Sequence, residues 1–302
     1  MLDLGIVIVN WNTKDLLRRC LQTVLMSIGD FQFEVVVVDN ASSDGSVEMV
    51  RTEFPTVKVI ASEVNGGFSY GNNLGLKLLG YRGQGDVDAD APRYALLLNP
   101  DTEVPVESLA GMIKFMDSRP EVGVAGPKLV LEDGSLDLAC RRSFPTPMVS
   151  FYRFSGLSRL FPRNRQFGRY NMTFADPDEE LEVDSVVGAY MQVRREAIYD
   201  AGLLDEAFFM YGEDLDWAFR IKEAGWKVYY HPRVVVKHIK RASSRRSKKA
   251  QFEFQRAMLI FYRKHYQRTT PMWLHLLVML GLLVKGGREL LPELRQNQPY
   301  TT

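Results

Sequence analysis

Residues 210–220, MYGEDLDWAFR, place three carboxylates, Glu213, Asp214 and Asp216, within four positions directly after a glycine. Leu215, Ala218 and Phe219 recur at helical spacing and Gly225 is the natural stop, so the acids fall in the first turn of a helix. Acids are favoured there by the helix dipole alone, and Asp216 with Arg220 makes a good i,i+4 pair, so Asp216 reads as structural. Glu213 and Asp214 exceed what capping requires. A turn at Gly212 leaves one of them free to act as a general base. A second cluster is LLLNPDT, residues 96–102, an apolar run that stops on Asn99-Pro100-Asp101. Alone it reads as a turn, because proline fixes φ and Asn or Asp bonds nearby backbone. Its other reading is a metal site with Asp101 as ligand. His238 closes the run Val234-Val235-Val236-Lys237. A lone histidine more often packs than ligates, yet an Asp and a His, completed by phosphate and water oxygens, would suit Mg²⁺ or Mn²⁺.

Those residues need a scaffold that brings strand ends together. Ile6 to Val9 and Val35 to Val38 are short β-branched runs that end in polar residues, as buried parallel strands do. Between them Leu16, Leu17, Cys20, Leu21, Val24 and Leu25 repeat at helical spacing. Val57 to Ile60 and Tyr94 to Leu98 follow further helical stretches, so the first third predicts an open α/β sheet. Ligands of such sheets bind beyond the carboxyl ends of the strands. That rule makes Asn10-Trp11-Asn12 and Asp39-Asn40 candidates, with Asp39 suited to a base or ribose. Ser43 or Asp44 would cap a helix. NGGFSYGNN, residues 65–73, adds a Gly-containing loop before a helix where backbone N–H groups can approach an anion, without the spacing of a P-loop or dinucleotide fingerprint. GQGDVDADAPR reads as a surface loop. From Ala139 to Asp184 regularity weakens, which suits either a pocket-shaping region or a solvated excursion.

The 302 residues carry 46% apolar residues and a net charge of +1, which describes an ordinary globular protein and gives no case for nucleic-acid binding. Cys20 and Cys140 lie far apart without Cys-x-x-Cys spacing, so neither a zinc site nor a disulfide framework is expected, and a reducing compartment fits. The N-terminus lacks a basic n-region and is not read as a signal peptide; a cytoplasmic location is expected. PMWLHLLVMLGLLV, from Pro271 to Val284, is strongly apolar but shorter than the roughly 20 residues that span a bilayer, and could lie on one instead. The chain divides into residues 1–240, carrying every motif above, and residues 241–302, a basic Ser-rich linker followed by helical patterning.

Taken together, VIVNWNTKDLLRRCLQTV, VVVVDNASSDGSVEMV, NGGFSYGNNLGL, LLLNPDTEV, VGAYMQVRREAI, YGEDLDWAFRIKEAGWKVYYHP and KHIK resemble, in this order, the inverting glycosyltransferases of family 2 with the GT-A fold, particularly their rhamnosyltransferase-like branch. The resemblance covers residues 5 to 240. It implies a Rossmann-like mixed sheet flanked by helices, here with a C-terminal helical extension. It also implies a nucleotide-sugar site at Asn10, Trp11, Asp39, Asn40, Asn65, Gly67, Asn73 and Asn99. Asp101 would be the metal acid of a D-x-D-type motif whose first acid is here Asn99, helped by His238. Asp214 would be the base with Glu213 beside it, and Val187-Gly188-Ala189-Tyr190 would touch donor sugar or acceptor. The reaction implied is transfer of a sugar, foremost rhamnose from dTDP-rhamnose, to a glycan or lipid-linked acceptor in cell-surface polysaccharide synthesis. A UDP-sugar-dependent hexosyltransferase and a catalytically silent nucleotide- or glycan-binding module are the alternatives. A sugar-phosphate nucleotidyltransferase would want a Gly-rich, basic loop after the first strand, and NWNTKDLL is not one. Lys237 to Lys249, rich in Lys and Arg, is expected to close over the donor diphosphate, contact anionic headgroups or stay solvated. The helical segment beyond it, with Phe252, Phe254, Leu259, Ile260, Phe261 and the Trp273 region, is expected to pack on the domain, mediate a homodimer or rest on the inner face of the membrane.

Overall fold

The computed structural model describes residues 2–240 and 248–295. The basic linker expected after His238, with its contact to diphosphate or headgroups, falls mostly on residues 241–247 and lies outside the described residues. The chain opens with β1 (Leu4–Asn10), α1 (Lys14–Leu25), β2 (Phe33–Asn40), α2 (Ser46–Glu53), β3 (Lys58–Ser62) and α3 (Gly67–Leu78). A small hairpin, β4 (Tyr81–Gly83) and β5 (Asp86–Val87), precedes β6 (Tyr94–Leu98), β7 (Thr102–Glu103), α4 (Ser108–Asp117) and β8 (Val122–Val130). α5 (Pro147–Phe154), α6 (Leu157–Leu160), β9 (Leu181–Glu182), β10 (Tyr190–Arg194), α7 (Arg195–Ala201), α8 (Glu213–Glu223) and β11 (Lys227–His238) follow. The chain then runs through α9 (Lys248–His265), α10 (Met272–Gly286) and α11 (Leu291–Arg295).

Nine strands form one mixed sheet in the order β3-β2-β1-β6-β10-β8-β11-β7, with β9 on β11. All seven residues of β1 are buried, which is why that run is apolar without alternation: helices cover both faces. Register positions the chemistry. In the parallel β1–β2 pair Asn10 lies opposite Asp39, and on the other side of β1 Ile8 lies opposite Leu98. The ends of three strands therefore open at one edge. β11 runs antiparallel to β7 with His238 opposite Thr102, so the strand that ends on His238 is brought beside Asp101.

Residues 83–93 are less irregular than the sequence reading. Gly80 and Gly85 adopt φ of 94° and 71°, and Tyr81 is fully buried with its hydroxyl donating to the Pro92 carbonyl at 2.7 Å. Left-handed glycines make the tight reversal that β4–β5 needs. Residues 139–184 carry α5 and α6, two short helices that lack the long periodicity by which a helix is recognised. α9, beyond the expected boundary at residue 240, contributes Ala257, Ile260 and Phe261 to the same core as the sheet. Its other side, Leu259 and Tyr262, joins Val278, Leu282 and Leu290 in a smaller cluster.

Candidate active site

The first group of site residues lies where β1 and β2 end. Asn10 and Asp39 are both buried, and the Asn10 amide donates to Asp39 Oδ2 at 2.8 Å while the Ser42 N–H donates to Oδ1 at 2.8 Å. Just past each strand a non-glycine residue takes a left-handed conformation, Asn12 two residues beyond β1 at φ 52° and Ala41 directly after β2 at φ 61°. Such strain persists only where the surroundings over-determine it. The two loops brace one another here: Asn12 N–H donates to Ser42 Oγ and Ser43 N–H to Asn12 Oδ1, each at 2.8 Å. Trp11 stands 55% exposed beside this pair. Asp44 caps through its neighbours. It accepts from the Lys14 and Ser46 N–H groups and so fixes the starts of α1 and α2, while Gly45 occupies the N-cap position itself.

The Asn65–Asn73 loop docks on the segment that leads into α8. Asn40 donates to the Gly67 carbonyl at 2.9 Å, Asn65 Oδ1 accepts from Gly67 N–H at 3.1 Å, and Phe68 N–H donates to the Phe209 carbonyl at 2.7 Å. Gly67 has φ 91°, and a Cβ there would sit 2.3 Å from the Phe209 oxygen, so only glycine fits. The Asn73 amide is spent inside the fold: it donates to the Leu204 carbonyl and to Glu206, and its oxygen accepts from Leu204 N–H. Asn73 thereby ties α3 to the loop that leads to Glu213 and Asp214.

The turn after β6 holds Asp101. Thr102 Oγ1 donates back to the Asn99 carbonyl at 2.8 Å, and Ile239 N–H donates to the Asp101 carbonyl at 2.7 Å. His238 Nε2 lies 3.3 Å from Asp101 Oδ1, and its Nδ1 lies 3.0 Å from Asp137 Oδ2. Lys240 pairs with the same Asp137 oxygen at 2.5 Å. Burial disfavours the charged imidazole, but hydrogen bonds with Asp101 and Asp137 outweigh it and raise His238 above its ordinary value. Among the described residues no three His, Cys, Asp or Glu side chains cluster as a metal cage. Asp101 and His238 are two potential ligands, one carboxylate and one imidazole, with the second nitrogen of the histidine held by a carboxylate as in many metal sites.

The third group sits at the start of α8. Tyr211 and Gly212 both have positive φ, 71° and 80°, and this left-handed pair swings the chain so that Glu213 and Asp214 enter the buried first turn. Asp214 Oδ2 accepts from Arg142 at 2.7 Å and from the Gly188 N–H at 3.0 Å. Arg142 also donates to the Val186 carbonyl at 2.8 Å. Glu213 Oε2 is buried without a partner. Burial, and then the charge of Asp214, push the Glu213 carboxyl up to about 8. Asp216 does the structural work read from the sequence: it pairs with Arg220 at 2.9 Å, and also with Lys264 and His265 of α9 at 3.0 and 2.7 Å.

Two backbone contacts join the second and third groups. Asn99 N–H donates to the Ala189 carbonyl at 3.0 Å, and the neighbouring Gly188 N–H holds Asp214. The segment Val187–Tyr190 is thus the bridge between the Asp101 turn and the paired acids. The mixed sheet thus opens its strand ends beside a buried Asn10–Asp39 pair, an Asp101–His238 pair and a buried Glu213–Asp214 pair. The model of the family described as "Glycosyltransferase like family 2" matches residues 3–255. The chain belongs to glycosyltransferase family 2. This transferase is 27% identical over 246 residues to N-acetylglucosaminyl-diphospho-decaprenol L-rhamnosyltransferase of Mycobacterium tuberculosis, covering 80% of this chain and 78% of that one. It is 26% identical over 237 residues to rhamnosyltransferase WbbL of Escherichia coli K12, covering 75% and 80%. Among solved structures it resembles GalNAc-T7 with UDP, GalNAc and Mn²⁺, at TM-score 0.61 and 17% identity over 88% of this chain and 48% of that one. It also resembles Staphylococcus aureus TarS residues 1–349, at TM-score 0.53 and 16% identity, over 95% and 67%. Both likenesses place the fold as GT-A.

Sequence reasoning missed Arg142 and Asp137. Arg142 meets Asp214 across 72 positions and Asp137 meets His238 across 101. The one local signal was an arginine pair, Arg141-Arg142, in a stretch with no periodicity.

Proposed function

We propose that this family 2 glycosyltransferase performs an inverting, divalent-metal-assisted transfer of rhamnose from dTDP-rhamnose to a lipid-linked or glycan acceptor. The observation that carries the reading is the bridge by which Asn99–Ala189 and Gly188–Asp214 join the Asp101–His238 pair to the Glu213–Asp214 pair. The rhamnose donor and the lipid-linked acceptor are supported by the two rhamnosyltransferases it resembles, one of which is described by a diphospho-decaprenol acceptor. UDP-sugars are the competing donors.

The chemistry follows from the placements. Asp39, with Asn10, holds the nucleoside, and Trp11 offers a ring at its side. The acceptor hydroxyl attacks the anomeric carbon from the face opposite the diphosphate, the bond to the diphosphate breaks, and Asp214 takes the hydroxyl proton. Arg142 and the Gly188 N–H hold Asp214 in place for this. Glu213, with its raised carboxyl, keeps a proton at neutral pH and stands next to the base. Asp101 and His238 suit Mg²⁺ or Mn²⁺, because one carboxylate oxygen and one imidazole leave positions for diphosphate and water oxygens. Bound there, the cation would offset the negative charge that develops on the leaving diphosphate.

Asp214→Asn is expected to lower turnover by about 10²–10⁴-fold while dTDP-rhamnose still raises the melting temperature. Asparagine keeps an oxygen for Arg142 and Gly188, so the cost in stability is about 1–3 kcal/mol. Wild-type turnover in this variant would remove Asp214 as base and turn attention to Glu213. Melting shifts measured across dTDP- and UDP-sugars with Mn²⁺ identify the donor: a larger shift with a UDP-sugar would replace rhamnose. We also propose that the transferase rests peripherally on the membrane through α10, which is too short to cross it.

A further inference from the structure

An apolar groove lies between α5, α9 and α10, outside the site just described. Its cavity measures about 50 Å³ and opens to solvent. Phe154 of α5, Met258 of α9, and Val278 and Leu282 of α10 line it. Arg153 stands among this lining, exposed, with its guanidinium 4.4 Å over the Tyr170 ring, and it forms no ion pair among the described residues. An uncompensated cation at the edge of an apolar groove fits a ligand with an anionic head and an apolar tail.

Two features of the segments that line the groove bear on the ligand. Pro145, also in its wall, follows three residues after Arg142, which holds Asp214. The intervening Phe144 packs on Phe219 of α8 at 4.9 Å between ring centres, and Ser143 N–H donates to the Tyr170 carbonyl at 2.9 Å. One wall of the groove is thus built on the chain segment that positions the catalytic carboxylate. α10 turns Val278 and Leu282 inward and leaves Trp273, Leu276, Leu280 and Val284 exposed on its outer side. α10 is thus apolar both on the side that lines the groove and on the side that is exposed.

We infer that this groove binds the apolar chain of the lipid-linked acceptor, with an acceptor phosphate at Arg153. The inference rests on the lipid-linked reading above and adds to it a site on this chain. The acceptor's sugar then reaches Asp214 while its tail passes between α5 and α10 toward the membrane surface. Burying the tail's methylenes is favourable, so filling the groove is felt as affinity for the chain rather than for the head.

Farnesyl diphosphate, a short isoprenyl chain on an anionic head, is the probe, titrated calorimetrically against the full chain beside inorganic pyrophosphate. Farnesyl diphosphate is expected to bind the wild type, and about tenfold more weakly in both Val278→Phe, which fills the groove, and Arg153→Gln, which removes the cation. Pyrophosphate, lacking the chain, is expected to be insensitive to Val278→Phe. Melting shifts with dTDP-rhamnose at the wild-type level show that each variant is folded, and exposed Arg153 supplies a safe variant if Val278→Phe fails that test. Equal farnesyl diphosphate binding in wild type and variants, or none in wild type, overturns the inference. Transfer to N-acetylglucosamine-diphospho-farnesol tests the reading beneath it separately. Binding as expected with no such transfer would remove the lipid-linked acceptor and keep the groove. Transfer that persists unchanged in both variants would remove the groove and keep the acceptor.

Discussion

Asp137 sits on the far side of His238 from Asp101 and engages its Nδ1 at 3.0 Å, which leaves Nε2 turned to the Asp101 side. Both burial and the opposing charges act on it. Burial raises a carboxyl, yet the His238 hydrogen bond and the Lys240 charge outweigh that and hold Asp137 well below the usual carboxylate range. A carboxylate behind a metal-ligating histidine fixes its tautomer, and losing one weakens metal affinity by about 10–100-fold. Asp137→Asn is therefore expected to weaken Mn²⁺ binding by about that factor, read by electron paramagnetic resonance with a nucleoside diphosphate present, while metal-free nucleotide binding stays the same. Unchanged Mn²⁺ affinity would make Asp137 a purely structural partner of Lys240. The residues legible in the sequence, Asp39, Asp101, Asp214 and His238, share one property: each closes an apolar run or opens a periodic one. Asp137 and Arg142 lie in irregular chain, and their meaning comes only from partners far away in sequence. Asn73 sits in a motif as legible as the others, but its amide serves the fold.

At the scale of elements, α8 shows how a helix start is made into a site. Acids at a helix N-terminus were readable from Gly212 and the spacing of Leu215 and Ala218, as were the parallel strands from their unbroken apolar runs. The short helices α5 and α6 were not: α2 is as short as α5 but follows the cap signal of Ser43 and Asp44, whereas α5 and α6 lie in chain without regular patterning. The cost of the α8 arrangement falls on Glu213, buried with an unpartnered oxygen and pushed up to about 8. Its folded value exceeds its ordinary 4.5, so the folded state holds this proton more tightly than the unfolded chain does. The resulting stabilisation is complete below about 4.5 and is lost as pH rises toward about 8. Glu213→Gln removes the titration and retains the shape. Expected is a melting temperature that rises relative to wild type at pH 8 and falls less steeply between pH 5 and 8, measured by thermal unfolding across that range. Parallel pH profiles for the two proteins would show that Glu213 does not titrate in this window.

For the whole molecule, the C-terminal helices are where packing and function meet. Lys264 and His265 reach from α9 to Asp216 at the buried base of α8, so the helix that follows the linker also braces the helix that carries the acids. Breaking such a buried cluster costs about 3–5 kcal/mol, and removing α9 would strip Ile260 and Phe261 from the main core as well. A truncation before α9 is therefore no clean test of the membrane contact; substitutions confined to the outer side of α10 are. Trp273 and Leu276 are 62% and 61% exposed and belong to neither buried core cluster. Tryptophan and leucine on one side of a short apolar helix are what an interfacial helix inserts below the headgroups, with roughly 2 kcal/mol for each large side chain buried. The double variant Trp273→Ser, Leu276→Ser is expected to release the protein from vesicles of mixed phosphatidylcholine and phosphatidylglycerol in flotation, while keeping its melting temperature and its shift with dTDP-rhamnose. Retained flotation would leave α10's outer face to a second copy of the chain, a case that sedimentation of the same variant decides. If release is seen, transfer to lipid-linked acceptor should fall with it and transfer to a detergent-dispersed acceptor should not, because the helix would bring the enzyme to the surface where its substrate is held.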